Sequence, residues 1–240
     1  EIAAMSRSQH KSQGFGSSGT RGNRAEFLKH TDGDQAENDL FEGLNTTWSR
    51  VKGGEKIPAM IDSIIANYDP SKPAASVKEL VSLYSAILPL QEEAFVANKI
   101  EELKDIIAAA AGVYVEFLAE DYSYPSEEEL EVKETFTIVS RSAVPVKFDQ
   151  ISSGEASSTD KLPLEENEEL SIEMLRRISF DSSQPYWLRE GGNAASDWKQ
   201  KGLPENLPQI TRDYLLEIEG VDIPYTKVID YKWTDRVDGE

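Results

Sequence analysis

Apolar residues recur at helical spacing through the first half of the chain. Three stretches show this period: residues 57–68, a stretch that opens at Ser76 and stops before Pro89, and residues 92–120. Ser76 and Glu79 have the spacing of a capping box, in which each side chain bonds the backbone N–H of the other residue. Three amphipathic helices with short connections predict a small helical bundle.

The apolar period changes from 3.6 residues to two after Tyr122. Apolar and polar positions alternate in three segments, whose apolar members are Val132, Phe136 and Ile138, then Tyr214, Leu216 and Ile218, and finally Ile229, Tyr231 and Trp233. Residues 144–148 and 170–174 add further short apolar stretches between turn-rich sequence. This half of the chain predicts an antiparallel β-sandwich of the immunoglobulin-like type. The expected fold class is α+β and multidomain, a small helical bundle followed by that sandwich.

The same pattern predicts the division of the chain into domains. Residues 2–13 predict a short helix, and the Gly/Ser-rich and polar sequence that follows predicts a linker to residue 38. The expected units are therefore residues 1–38, a helical domain over 39–122 and a β-sandwich over 123–240. The chain begins with Glu1 rather than Met, and residues 2–13 resemble a helix entered partway along, so we expect either a cut piece of a longer protein or a processed protein.

Charge narrows the range of partners. The chain has 44 acidic and 25 basic residues, with a formal net charge of −19. Proteins that bind nucleic acid gain most of their affinity from clustered Lys and Arg, so the composition argues against nucleic acid as a partner. No apolar run reaches the roughly 18 residues that a membrane-spanning helix needs, so no membrane span is predicted.

Few residues suit catalysis. The chain contains no Cys and two His, which excludes thiolate chemistry and any mechanism that needs several histidines. The string HTDGD offers His30, Asp32 and Asp34 as metal ligands, but this short polar pattern is more typical of a solvated loop. We therefore predict no catalytic residue and no metal site in this chain.

The most distinctive polar and aromatic string is QPYWLRE, with a further Trp nearby. Its candidate substrate-binding residues are Tyr186, Trp187, Arg189 and Trp198. Aromatic rings can stack on the C–H faces of a sugar while polar groups bond its hydroxyls. The alternative interpretation is that Tyr186 and Trp187 plug one end of the sandwich.

Several separated strings together resemble a known family. They are HKSQGFGSSGTRG, LFEGLNTTWSRVKGG, QPYWLRE, GLPENLP and the closing YKWTDRVDGE. In this order they resemble the region that follows the zinc catalytic core in PIG-L (LmbE-like) deacetylases of the large Bacteroidetes type. The resemblance covers nearly the whole chain, and residues 123–240 resemble a NEW3-like accessory sandwich of carbohydrate-active enzymes.

The resemblance implies a parent enzyme that is periplasmic or extracellular and removes the acetyl group from N-acetylglucosamine-type sugars. Its zinc would belong to a catalytic domain whose HPDD-type motif is absent here, so no cofactor is expected in this chain. One element matches that domain, the terminal H-x-S-Q pattern of His10, Ser12 and Gln13. The resemblance places this pattern on the last helix of the catalytic domain, so residues 1–38 would be the tail of that domain and a linker.

Three functions follow as hypotheses. The first is a non-catalytic region of such a deacetylase, which positions the catalytic domain or its glycan. The alternatives are an autonomous carbohydrate-binding module and a structural or oligomerisation scaffold. The expected partners are the parent's own catalytic domain and a glycan.

Overall fold

A computed structural model describes residues 2–14, 22–23, 25–126, 129–150, 161–179, 183–188, 202–237 and 239. The chain divides into two compact units, Glu1–Thr46 and Thr47–Glu240. No helix in the described ranges combines the length and apolar character that crossing a bilayer requires.

The first unit contains one α-helix among its described residues. Helix α1 spans Ile2–Gln9, and a 3₁₀ turn follows at Lys11–Gln13, so the helix predicted over residues 2–13 is confirmed in its first part. The described residues between 25 and 46 form neither helix nor strand, in agreement with the predicted linker. Their large apolar side chains are exposed, namely Phe27, Leu28, Leu40, Phe41 and Leu44.

Three α-helices open the second unit. Helix α2 spans Ile57–Asn67, with Pro58 in its first turn, and helix α3 spans Val77–Ile87. The capping box predicted at Ser76 is wrong, because its side chain makes no capping hydrogen bond. A 3₁₀ turn runs directly into α3 and holds Ser76 in a helical conformation, whereas a side-chain cap requires extended backbone.

The third helix is shorter than the sequence predicts. Helix α4 spans Ala94–Ala110, and residues Val113–Ala119 form strand β1, so the helix predicted over residues 92–120 is wrong in its last third. Gly112 has a φ of +71°, a left-handed conformation that commonly ends a helix and that glycine adopts without strain. The β-branched Val113 and Val115 then favour a strand.

The strands form two antiparallel sheets, so the chain is an α+β protein. The first sheet has the order β1-β2-β5, with β2 at Glu129–Ser140 and β5 at Glu169–Ser179. The second has the order β4-β3-β6-β7, and its strands are β3 at Val146–Gln150, β4 at Leu162–Pro163, β6 at Thr211–Ile218 and β7 at Val221–Val228. Strands β2, β3, β5 and β6 confirm four of the predicted apolar stretches.

One predicted strand is displaced. The alternation at Ile229, Tyr231 and Trp233 does not mark a strand, because Asp230 makes only an isolated bridge with Leu118. The strand in this region is β7, which ends at Val228 and pairs with β6. Strand β7 lies at the edge of its sheet, where Pro224 is tolerated because an edge strand leaves some N–H groups unpaired.

Buried aromatic rings join the two sheets and the helices. Phe136 of β2 stacks on Phe148 of β3 with ring centroids 5.4 Å apart, and it meets Tyr214 of β6 at the same separation. Tyr214 stacks on Tyr225 of β7, whose hydroxyl donates to the backbone carbonyl of Lys104 in α4. Helices and strands of the second unit therefore share one core. The domain limits 1–38, 39–122 and 123–240 stay predictions.

A buried ion pair crosses this core. Glu134 of β2 is 0% exposed, and its carboxylate accepts a hydrogen bond from Arg212 of β6. Arg176 of β5 lies 3.4 Å from the same carboxylate. Burial lowers the pKa of the Arg212 guanidinium, the neighbouring Arg176 lowers this pKa further, and Glu134 opposes both effects. Within the described residues, Glu134 Oε1 and Arg212 Nε have no hydrogen-bond partner.

We expect Glu134→Gln to destabilise the protein strongly. The change leaves the buried Arg212 guanidinium without its counter-charge, and breaking a buried pair on one side costs about 3–5 kcal/mol. The free energy of unfolding in urea measures the loss. The control is Glu131→Gln on the same strand, whose exposed pair with Arg177 at 3.2 Å is worth at most about 1 kcal/mol.

The double variant Glu134→Met with Arg212→Met separates charge from packing. Because both buried charges are removed, it should regain a large part of the stability that Glu134→Gln loses. Equal losses in Glu134→Gln and Glu131→Gln would contradict this account of the ion pair.

Candidate functional site

The residues of the H-x-S-Q pattern lie just after α1, and two of them belong to the 3₁₀ turn Lys11–Gln13. His10, Ser12 and Gln13 are all exposed, and His10 Nδ1 lies 3.2 Å from Gln13 Oε1. This local contact holds the imidazole against its own turn. The role that the resemblance gives these residues stays a prediction.

The HTDGD string forms an exposed turn. His30 Nε2 lies 3.1 Å from the backbone carbonyl of Gly33, and His30, Asp32 and Asp34 are solvent-exposed. Over the described ranges, no three His, Asp or Glu side chains converge to hold a metal ion. The side chains that the structure describes therefore do not fit a zinc ion of the kind that the resemblance assigns to the parent's catalytic domain.

Tyr186 ties two chain segments together. It lies on the 3₁₀ turn Tyr186–Leu188 and is half-buried. Its backbone N–H donates to Asn206 Oδ1 at 2.7 Å, its hydroxyl donates to the carbonyl of Leu203, and that hydroxyl accepts from the N–H of Gly202. Its polar groups are thus engaged within the chain, which supports a structural role for this residue.

Trp187 is more exposed than Tyr186, the other described residue among the four that are predicted to bind a sugar. It is 51% exposed and meets the ring of Tyr186 edge-on, with centroids 4.9 Å apart. Arg189 and Trp198, the other two predicted site residues, lie outside the described residues. Binding of a sugar by this group of four stays a prediction.

A second site lies where several strands end. A pocket of about 440 Å³ is lined mainly by the chain after β1, the chain before β6 and the chain after β7, and Ser183 also lines it. Backbone hydrogen bonds bring them together, because the N–H of Ala119 donates to the carbonyl of Asp230 at 2.8 Å and the N–H of Ile229 donates to the carbonyl of Ile210 at 3.2 Å. The rigid sheets therefore position the walls of this pocket.

Two exposed aromatic side chains line this pocket and a third lies beside it, and we name the three the aromatic rim. They are Tyr122, Tyr231 and Trp233, which are 78%, 42% and 60% exposed. The rings of Tyr122 and Tyr231 lie 5.7 Å apart, tilted by 54°, and together with Trp233 they line a shallow neighbouring depression. Grouped aromatic faces left open to solvent are a recurrent sign of a binding surface.

Polar groups complete the lining. Asp121, Ser123, Ser126 and Gln209 line the same pocket as Tyr122 and Tyr231. Asp121 Oδ1 accepts a hydrogen bond from the N–H of Tyr122 at 2.7 Å, and the N–H of Asp121 donates to the Tyr124 hydroxyl. Apolar ring faces beside several hydroxyl, amide and carboxylate groups suit a ligand with alternating C–H and O–H surfaces.

The sequence interpretation missed the aromatic rim, although a signal is present. The apolar alternation predicts a half-buried strand through Tyr231 and Trp233, and Tyr122 marks only the change of period. The string DYSY begins at Asp121 and the string DYKW at Asp230, so an Asp-Tyr-x-aromatic pattern occurs twice. The two strings are more than 100 positions apart, and only the fold shows that they are neighbours.

Comparison with protein-family models, with curated proteins and with solved structures found no match to this chain.

We expect Tyr186→Phe to loosen the connection between the 3₁₀ turn and residues 202–206. Removing the hydroxyl deprives the Gly202 N–H and the Leu203 carbonyl of their partner, at a cost of about 1 kcal/mol. Urea unfolding measures the stability, and faster amide hydrogen exchange at Gly202 locates the change. The exposed Tyr68 offers a matched control, since Tyr68→Phe should change stability by less than about 0.5 kcal/mol. Unchanged exchange at Gly202 would contradict the role given to Tyr186.

Proposed function

We propose that this chain is a non-catalytic region of a zinc-dependent sugar N-deacetylase and that it holds the enzyme's glycan through the aromatic rim and its pocket. The observation that carries the proposal is the group of Tyr122, Tyr231 and Trp233, exposed beside a pocket with polar lining. The strings that resemble PIG-L deacetylases supply the reaction class and the N-acetylglucosamine-type substrate.

Carbohydrate is the ligand class that fits this lining. A pyranose ring presents C–H groups on its faces and hydroxyl groups around its edge, so it can stack on tyrosine and tryptophan while bonding to polar neighbours. Asp121, Ser123 and Gln209 provide such neighbours at the pocket wall. A pocket of about 440 Å³ falls within the range of typical ligand sites.

The finer architecture and the location of the protein belong to the same proposal. Two antiparallel sheets that contact each other through Phe136 and Phe148 support an immunoglobulin-like sandwich. The proposed partner is the parent's catalytic domain, which would carry the zinc, in a periplasmic or extracellular enzyme. In that enzyme, the aromatic rim would keep a polymeric substrate close to the catalytic domain and raise its effective concentration there.

An autonomous carbohydrate-binding module is the second candidate. The observation that favours it is that the described residues lining the pocket and forming the aromatic rim all belong to the unit Thr47–Glu240. The two candidates share the ligand class. They differ in whether the chain changes the activity of a catalytic domain when the two are joined.

We expect the chain to bind N-acetylglucosamine oligosaccharides and to lose affinity when the aromatic rim is truncated. Tyr231→Ala and Trp233→Ala should each weaken binding by roughly 2- to 10-fold, because one aromatic stacking contact is worth about 0.5–1.5 kcal/mol. Isothermal titration calorimetry with the tetrasaccharide measures both. Trp187→Ala removes an equally exposed aromatic side chain outside the rim and serves as the control.

Two outcomes would count against this assignment. Absence of binding to any amino sugar or polysaccharide would overturn the proposed function. Binding that Trp187→Ala abolishes and that Tyr231→Ala leaves intact would move the site to the QPYWLRE string.

We expect no release of acetate from N-acetylglucosamine oligosaccharides when the chain is incubated with Zn²⁺. The reason is that the sequence lacks the HPDD-type motif that holds the catalytic zinc in the family it resembles. Acetate is measured enzymatically against a blank without protein. Zinc-dependent turnover that a chelator abolishes would contradict the prediction that the chain has no catalytic residue.

A further inference from the structure

We propose that the aromatic rim and its pocket bind a sugar with a free amino group, the product of deacetylation, more tightly than the N-acetylated sugar. This inference rests on the proposed function and specifies the ligand of the same site. It specifies that the preferred ligand carries a positive charge, which ring stacking alone does not determine.

The charge of the lining carries the inference. Among the described residues that line the pocket, two are carboxylates, Asp121 and Asp230, and none is Lys, Arg or His. The chain as a whole has a net charge of −19, so the surrounding field also attracts cations. An N-acetyl group is neutral, whereas the amine of a deacetylated sugar is protonated in mildly acidic solution, where the Asp side chains are still ionised. The pocket therefore favours the deacetylated form.

The aromatic rim also favours the deacetylated sugar over the acetylated one. The faces of tyrosine and tryptophan attract a cation that lies within about 6 Å of the ring centre, and Trp is the strongest of the aromatic residues. Tyr122 and Tyr231 lie 5.7 Å apart and line one depression with Trp233, so the amino group of a sugar bound there would lie near several aromatic rings. This cation–π contact is partly open to water, so its free energy lies at the lower end of the range found for such contacts in proteins.

Asp121 is the principal carboxylate. Asp230 lies 3.6 Å from the ammonium group of Lys227, which offsets part of its charge. Asp121 Oδ1 accepts the N–H of Tyr122, and a carboxylate has about four acceptor positions, so Asp121 keeps the capacity to bind an ammonium group. The same hydrogen bond joins Asp121 to Tyr122, and the carboxylate is thereby held at the edge of the rim.

Lysine side chains near the pocket do not reverse this balance. Lys232 lies between the two rim residues Tyr231 and Trp233 in sequence, and its ammonium group pairs with Glu116 at 3.3 Å.

A site with this preference would hold a partly deacetylated polymer by the units already processed. The enzyme would then remain on the same chain while the next acetylated unit reaches the catalytic domain.

Titrations with two ligands of equal length test the inference, the glucosamine tetrasaccharide and the N-acetylglucosamine tetrasaccharide. At low ionic strength and mildly acidic pH, where the amine is protonated, we expect the free-amine ligand to bind about fivefold more tightly, since a rim cation–π contact and one exposed ion pair each contribute a small factor. Raising the salt concentration should reduce this ratio, because exposed charges are screened.

Two variants with the same change of charge complete the experiment. Asp121→Asn should bring the affinity for the free-amine ligand close to that for the acetylated ligand. Asp62→Asn removes an exposed carboxylate from α2, outside the pocket lining, and should leave the ratio of the two affinities unchanged.

The possible results separate this inference from the proposed function. Equal or tighter binding of the acetylated ligand overturns the inference and leaves the glycan site in place. Equal effects of Asp62→Asn and Asp121→Asn would show attraction by net charge alone and would also overturn it. Binding of neither ligand overturns the proposed function itself.

Discussion

The contact of Phe136 with both sheets is the constraint on which the second unit depends. Its ring meets Phe117 on its own sheet and Phe148 and Tyr214 on the other, and Tyr214 continues to Tyr225 beside helix α4. Each sheet has an apolar face that must be covered, and these rings cover both faces at once. The helices are added to the same core because the Tyr225 hydroxyl donates to the carbonyl of Lys104.

The buried ion pair limits how this core can assemble. Glu134 and Phe136 are two positions apart on β2, so both side chains point to the same buried face. A carboxylate on that face is acceptable only where Arg212 of the opposite sheet and Arg176 of β5 reach it. A shift of β2 by one residue would turn Glu134 toward solvent and place polar neighbours in the core. The ion pair therefore adds little net stability and favours the observed register.

The fold class, helices α2 and α3 and strands β2 and β6 could be predicted because each repeats one period over a sufficient length. Strand β1 could not, since Tyr114 and Phe117 continue the helical spacing of α4 by coincidence and the stop at Gly112 is a single residue. Strand β7 was missed because Pro224 interrupts its pattern, and the pairing with β6 determines its position. The pocket depends on contacts between segments far apart in sequence, which periodicity does not encode.

The exposure of the aromatic rim follows from how β1 and β7 end. Leu118 and Asp230 form a parallel bridge, so the strings DYSY and DYKW leave the sheets side by side and in the same direction. Tyr122 follows Leu118 by four residues and Tyr231 follows Asp230 by one, and the two rings lie 5.7 Å apart. Rings used for stability alone would be expected to lie in the core with Phe136, where burial contributes most. Rings that stay exposed at the edge of the sheets gain little free energy of folding from burial. Stacking of the proposed glycan on these rings gives a physical reason for their arrangement.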